Sequence, residues 1–246
     1  MKTLKSIFAG AALMAASAMA FATPVSLGGE SPDLQTIINS LYEAPGTSPV
    51  SQAPNVNTDQ SAEDGRFAIE ASGVSNAVMI IEVAANSGNN TFGIYDINNP
   101  SVFLQLFAGS ASQTDFVTLN VNDQNQFTAN GQTVQFSSST FGYYLGGANG
   151  PIFYSQAGLN DGDDHLVVFQ GDDDVIKLPG KPVGIWGAGS LILAWEDLPL
   201  STGDTDYQDL VVYVESVRIV PEPATVALFG LGLLGFAAAR RRSNKA

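Results

Sequence analysis

From Arg66 onward, Val, Ile, Phe and Tyr come in short runs separated by Gly, Asn, Asp and Pro. That punctuation predicts β-strands at 66–71, 76–84, 91–97, 102–107, 115–121, 141–145, 165–170, 190–196 and 209–219. Their even spacing predicts an all-β, sandwich-like domain over 66–220. Leu191 to Trp195 and Leu210 to Val214 are apolar at successive positions, so both faces of those strands should be covered, as at the centre of a sandwich. They are core candidates, with Phe141, Tyr143 and Val167. One stretch has helical rather than alternating spacing: Leu34, Ile37, Ile38, Leu41 and Tyr42, behind a cap and a first-turn proline at Ser31-Pro32-Asp33, predict a single short helix over 32–43. Residues 44–65 are rich in Pro, Ser, Asn and Gln and predict a linker or long loop, so 23–65 reads as a helix plus linker.

The two ends follow another pattern. Lys2 and Lys5 precede an apolar stretch from Ile7 to Phe21, and Ala20-Phe21-Ala22 places small residues at alternate positions. Residues 1–22 therefore predict a secretory signal peptide, cut by signal peptidase after Ala22. At the other end, Pro221-Glu222-Pro223 is followed by an apolar run from Ala224 to Ala239 and then Arg240-Arg241-Arg242. At about 1.5 Å per residue such a run reaches roughly 24 Å as a helix, short of a hydrocarbon core of about 30 Å. A segment with snorkelling arginines still predicts a transient membrane anchor, with the arginines on the cytoplasmic side. Gly230, Gly232 and Gly235 in this run match a dinucleotide-binding pattern by coincidence, since the chain lacks the acidic residue required about 20 positions later.

The three-part tail over 221–246 resembles the PEP-CTERM sorting signal of Gram-negative bacteria. The resemblance implies an exosortase-type processing enzyme as partner, with Pro221, Glu222, Pro223, Arg240, Arg241 and Arg242 as the sorting residues. It also implies an inner-membrane intermediate and delivery to the cell surface or extracellular matrix, where extracellular polysaccharide and biofilm are the expected surroundings.

Charge narrows the partners. With 24 acidic and 10 basic residues the net charge is −14, and because six basic residues lie at the ends, Thr23 to Val220 carries 4 − 23 = −19. A chain without clustered Lys and Arg does not neutralise a phosphate backbone, so no nucleic acid is expected. There is no Cys and a single histidine, His165, which leaves oxygen ligation as the available metal chemistry.

Oxygen ligands are concentrated between the two central strands. Glu196, Asp197, Asp204, Asp206 and Asp209 fall within one connection, where mutual repulsion favours a hard cation. Calcium takes six to eight such oxygens in loose geometry, and Asp204, Asp206 and Asp209 have turn-like spacing for it. These five residues are the primary metal candidates; Asp161, Asp163 and Asp164 are secondary, and Asp172-Asp173-Asp174 reads as a solvated turn. An EF-hand is excluded, because position six of the loop would be Asp209 rather than Gly and Leu210 to Val214 reads as strand. Each cluster also has a plainer reading, in which carboxylates cap backbone amides in structural turns.

The same residues carry a second resemblance. Trp195-Glu196-Asp197-Leu198, then Gly203-Asp204-x-Asp206-Tyr207-x-Asp209-Leu210-Val211-Val212, with 141–145 and 160–165, resembles domain of unknown function 4114 of exported bacterial proteins, over roughly 92–217. Gln208 and Trp195 depart from that pattern without removing a carboxylate. The resemblance implies a β-rich extracellular module.

Together these features predict an exported surface or matrix protein of structural or adhesive type, dependent on calcium and without catalytic residues. A carbohydrate-binding module is the alternative, with Trp186, Trp195, Tyr143, Tyr144 and Tyr154 as candidate sugar-stacking rings. A polysaccharide-acting hydrolase, which would use a carboxylate pair, ranks behind it.

Overall fold

The computed structural model describes residues 31–43, 52–82, 88, 90–147 and 150–221. The signal peptide, the apolar run at 224–239 and the sorting residues beyond Pro221 lie outside them. Among the described residues no helix is long and apolar enough to cross a membrane.

Two antiparallel sheets form a sandwich. One runs in the order β15 (Val217–Ile219), β1 (Phe67–Ile69), β8 (Thr140–Gly147), β3 (Asn90–Asp96) and β4 (Asn99–Phe107), with β9 (Ile152–Tyr154) also paired to β8. The other runs β10 (Leu166–Gln170), β13 (Ser190–Trp195), β14 (Leu210–Glu215), β2 (Val74–Glu82), β5 (Phe116–Val121), β6 (Gln126–Ala129) and β7 (Gln132–Gln135). A small hairpin, β11 (Asp174–Lys177) with β12 (Val183–Trp186), stands apart from both.

The central strands behave as their continuous apolar runs predict. Leu191, Leu193 and Trp195 of β13, with Leu210, Val212 and Val214 of β14, face the core between the sheets. Their neighbours Ile192, Ala194, Val211 and Tyr213 point the other way, into a second core. Helix α1 (Leu34–Glu43) and the β11–β12 hairpin supply the other side of that second core through Leu34, Ile37, Ile38, Leu41, Ile176 and Trp186. Each fully buried aliphatic side chain contributes about 1.5–3 kcal/mol, so covering both faces makes β13 and β14 the most securely held part of the domain.

Several elements differ from expectation for identifiable reasons. The helix starts at Leu34, and Asp33 rather than Ser31 caps it, its Oδ1 accepting the Thr36 N–H at 2.7 Å. The polar stretch 52–65 forms no strand or helix, yet it is fastened down: Val56 is buried in the second core, Gln35 bonds both Pro54 and Val56, and the Ser61 N–H donates to Val168 on β10 at 2.8 Å. The run 209–219 is two strands, because Ser216 takes a left-handed φ of 57° and passes the chain from one sheet to the other.

Five strands have no counterpart among the sequence expectations: β6, β7, β9, β11 and β12. All are three or four residues long. For β6 and β7 a signal exists, since Asn130-Gly131 takes φ values of 53° and 74° and makes the tight turn that matches strand twist.

The outer face of the first sheet pairs glycine with aromatic rings. Tyr95 lies opposite Gly142, and Tyr144 opposite Gly93. A Cβ on Gly142 would sit 2.3 Å from the Tyr95 ring, and one on Gly93 would sit 2.7 Å from Tyr144. The rings lie flat on bare backbone, which buries them on a face that would otherwise be wet.

Candidate functional site

Trp195 and Leu210 are paired across β13 and β14, so the connection from Glu196 to Asp209 leaves and re-enters the sheet at one end. Glu196 extends β13 by one residue: its N–H donates to the His165 carbonyl, and its own carbonyl meets His165 Nδ1, both at 3.1 Å. The Asp197 N–H then donates to Asp209 Oδ2 at 2.8 Å, so a carboxylate replaces the next rung of the ladder.

Beyond this point the backbone turns tightly. The Thr202 and Gly203 N–H groups both donate to the Pro199 carbonyl at 2.8 Å. Gly203 admits no side chain, because a Cβ would stand 2.9 Å from the Leu198 Cβ and 3.0 Å from Glu196 Oε1. Thr205 and Tyr207 both adopt left-handed φ values, 57° and 56°. For a β-branched or bulky residue that conformation is uncommon and costs free energy. It turns Asp206 inward between them, where its Oδ1 accepts the Gln208 N–H at 3.2 Å. Tyr207 fastens the loop outward by donating its hydroxyl to the Asp164 carbonyl at 2.6 Å.

The result is a group of three buried carboxylates. Glu196, Asp206 and Asp209 each offer an oxygen, all within 4.8 Å of one another. Glu196 is completely buried, and Asp206 and Asp209 are 2 % and 6 % exposed. Among the described residues, Glu196 Oε2 and Asp204 Oδ1 are buried without a hydrogen-bond partner. Two unit charges at 4.8 Å repel by about 3.5 kcal/mol at an effective dielectric of about 20. The protonation behaviour records the strain. Burial, and then the charges of Asp204, Asp206 and Asp197, raise the Glu196 carboxyl to about 7 despite the Leu198 N–H that it accepts. Burial, with Asp197, Glu196 and Asp206, raises Asp209 to about 9.

The donor set suits calcium. Its bonds to oxygen are about 2.3–2.6 Å, so oxygens around one ion lie up to about 5 Å apart, which accommodates the observed spread. Glu196, Asp206 and Asp209 would hold such an ion, and the partnerless Glu196 Oε2 is an oxygen that a cation would satisfy; Asp204 stands outside the group of three. Asp197 is otherwise engaged, accepting from Asn90 Nδ2 of β3 at 2.7 Å.

The secondary candidates are placed differently. Asp161 and Asp163 are exposed, and Asp161 sits at φ 58° in a tight turn with Gly162 at φ 100°. Asn160 braces that turn through both the N–H and the carbonyl of Tyr154. Asp164 is half-buried and accepts the Leu166 N–H at 3.3 Å. None of the three joins the buried group. In the 172–174 run, Asp174 accepts the Tyr42 hydroxyl at 2.7 Å and ties helix α1 to β11.

Two neighbours carry no signal in the sequence. Asn90 is 107 positions from Asp197. Asp64, in the polar stretch, has its carboxyl raised to about 8, first by burial and then by the charge of Asp164. His165 is buried with its ring stacked on Phe153 at 3.8 Å, and burial lowers its pKa. Of the candidate sugar-stacking rings, Trp186, Trp195, Tyr143 and Tyr144 are buried, and Tyr154 packs edge-on to Tyr95.

Comparison with known proteins bears on both resemblances. No curated protein and no solved structure gives a match. Residues 116–217, which include the whole acidic connection, match the family model described as Domain of unknown function (DUF4114). Residues 220–242, which include the tripeptide and the three arginines, match the PEP-CTERM protein-sorting motif. Residues 116–217 are thus similar to the DUF4114 family, and the PEP-CTERM signal behind them implies an exported protein that is processed by an exosortase and sorted to the cell surface of a Gram-negative bacterium.

Proposed function

We propose that this protein is a structural or adhesive component of the cell surface or extracellular matrix, and that calcium bound by Glu196, Asp206 and Asp209 completes its acidic end. One observation carries the reading: three buried carboxylates converge within 4.8 Å, and Glu196 Oε2 is buried beside them without a hydrogen-bond partner. Burying a charge without a partner is costly, and a hard cation removes the cost. A group this deeply buried favours a structural ion over a catalytic one, because a polysaccharide acted on at these carboxylates would have to enter the protein. Extracellular polysaccharide remains a partner of the surroundings rather than a substrate in this reading.

The test is thermal unfolding of the secreted domain in millimolar calcium and in excess chelator. A ligand that binds only the folded state, present at 100 times its dissociation constant, adds about 2.7 kcal/mol. For a domain of this size that raises the melting temperature by about 5–11 °C. Asp206→Asn should abolish the response. Identical melting curves with calcium and with chelator would refute the proposal and leave a turn whose carboxylates cap amides.

A further inference from the structure

The last strand of the described residues and the start of the sorting signal are almost the same piece of chain. β15 ends at Ile219, and the tripeptide begins at Pro221, so Val220 is the only residue between them. Val220 is itself held, its N–H donating to the Arg66 carbonyl at 2.8 Å. β15 is registered on β1 through Ile219 with Phe67, Arg218 with Ala68 and Val217 with Ile69. Val217 is fully buried in the core between the sheets, and its N–H donates to the Gly189 carbonyl at 3.0 Å. On the far side of the tripeptide the apolar run begins at Ala224. Four residues from Pro221 to Ala224 span at most about 14 Å of extended chain. An enzyme that engages the tripeptide therefore works within a few residues of the folded sheet.

Enzymes that act on peptides commonly hold several residues in extended form and pair with their backbone. On the amino side of Pro221, Val220 gives its N–H to Arg66 and Val217 gives its N–H to Gly189, so these groups are spent within the fold while the strand stays in place. Yet β15 is built to leave alone. It is an edge strand, three residues long and paired with β1. Ser216, at φ 57°, separates it from β14, which stays anchored by six paired positions on β13. Opening at this joint is a local event that leaves the sandwich intact.

We propose that β15 gates processing: exosortase engages the chain at the tripeptide only when Val217 to Val220 leave the sheet. The consequence is that the rate of tail removal follows the opening of β15.

The chain has no cysteine, so a lock is simple to install. Ala68 and Arg218 are directly paired across β1 and β15, and paired antiparallel positions lie about 4.5–5.5 Å apart at Cα, within disulfide range. The full chain with Ala68→Cys and Arg218→Cys is expressed in the exporting host, and tail removal is followed by pulse–chase, with thiol alkylation reporting the bond. Tail removal should be lost in the locked chain and restored by a reductant. It should also return without reductant when about ten Gly and Ser residues, spanning about 17 Å, are inserted between Val220 and Pro221. Removal at the unmodified rate from the locked chain overturns the gate. So does failure of the insert to rescue the locked chain, since the block would then lie elsewhere than at the strand.

Discussion

Replacing Glu196 with Gln separates charge from shape at the centre of the acidic group. Gln keeps the oxygen that accepts the Leu198 N–H at 3.1 Å and removes the charge from a fully buried side chain. The Glu196 carboxyl lies at 4.5 in the open chain and is raised to about 7 in the fold. The folded state thus holds the proton more tightly than the unfolded state does. Stability from this group is fully present below pH 4.5 and is lost as pH rises toward 7. One pKa unit is worth about 1.4 kcal/mol, so the loss is about 3 kcal/mol, or about 6–12 °C in melting temperature. Asp209, raised to about 9, pushes in the same direction over a wider range, and because the carboxylates share their protons the two losses do not add.

In chelator, therefore, the unmodified domain should lose stability between pH 4.5 and 8, whereas Glu196→Gln should lose less and be the more stable of the two at pH 8. In millimolar calcium the order should reverse, because the variant gives up a ligand while the unmodified site exchanges protons for the ion. Urea unfolding at pH 5 and pH 8, with calcium and with chelator, reads all four cases. A Glu196→Gln domain that is destabilised equally at both pH values in chelator would refute the reasoning, since the carboxylate would then act through its shape alone.

Other predictions test the scaffold and the tail. Gly142→Val should destabilise the domain by at least about 1–3 kcal/mol, as overpacking does, because its Cβ would fall 2.3 Å from the Tyr95 ring; urea unfolding measures it. Gly203→Ala should weaken the calcium-induced rise in melting temperature more than it lowers the melting temperature in chelator, since its Cβ presses on Glu196 Oε1. Replacing Arg240, Arg241 and Arg242 with Gln should impair retention and tail processing in fractionated cells, because arginines behind an apolar run are expected to supply a cytoplasmic stop.

The central sheet was legible because the core writes itself into strands that are covered on both sides. Leu191 to Trp195 and Leu210 to Val214 need no partner information to be read as central, and their alternate side chains do enter two different cores. Elements held by backbone or by single polar contacts left weaker marks. The 52–65 stretch is polar, as loops are, and nothing in its composition reveals that Ser61 would pair with Val168 or that Val56 would be buried. The β6–β7 hairpin buries Phe127 and Ala129 in the core and packs only Val134 of β7 partly against it, so its apolar count is too low to announce a strand, although Asn130-Gly131 marks its turn.

The acidic connection was legible as a cluster, but its geometry was not. Spacing alone favours Asp204, Asp206 and Asp209 as a set, yet the fold puts Glu196 in the place expected of Asp204. The cause is local. Glu196 still belongs to the end of β13 and is aimed by its pairing with His165, whereas the backbone turns sharply on either side of Asp206 through the left-handed residues Thr205 and Tyr207. Neither Thr nor Tyr announces that conformation, which sequence rules reserve for Gly and Asn. Strain of this kind persists only where the surroundings over-determine it, and here the buried Tyr207 ring and its bond to Asp164 do so. The loop thus accepts unfavourable backbone and crowded charge at one point, and a bound cation would offset the second.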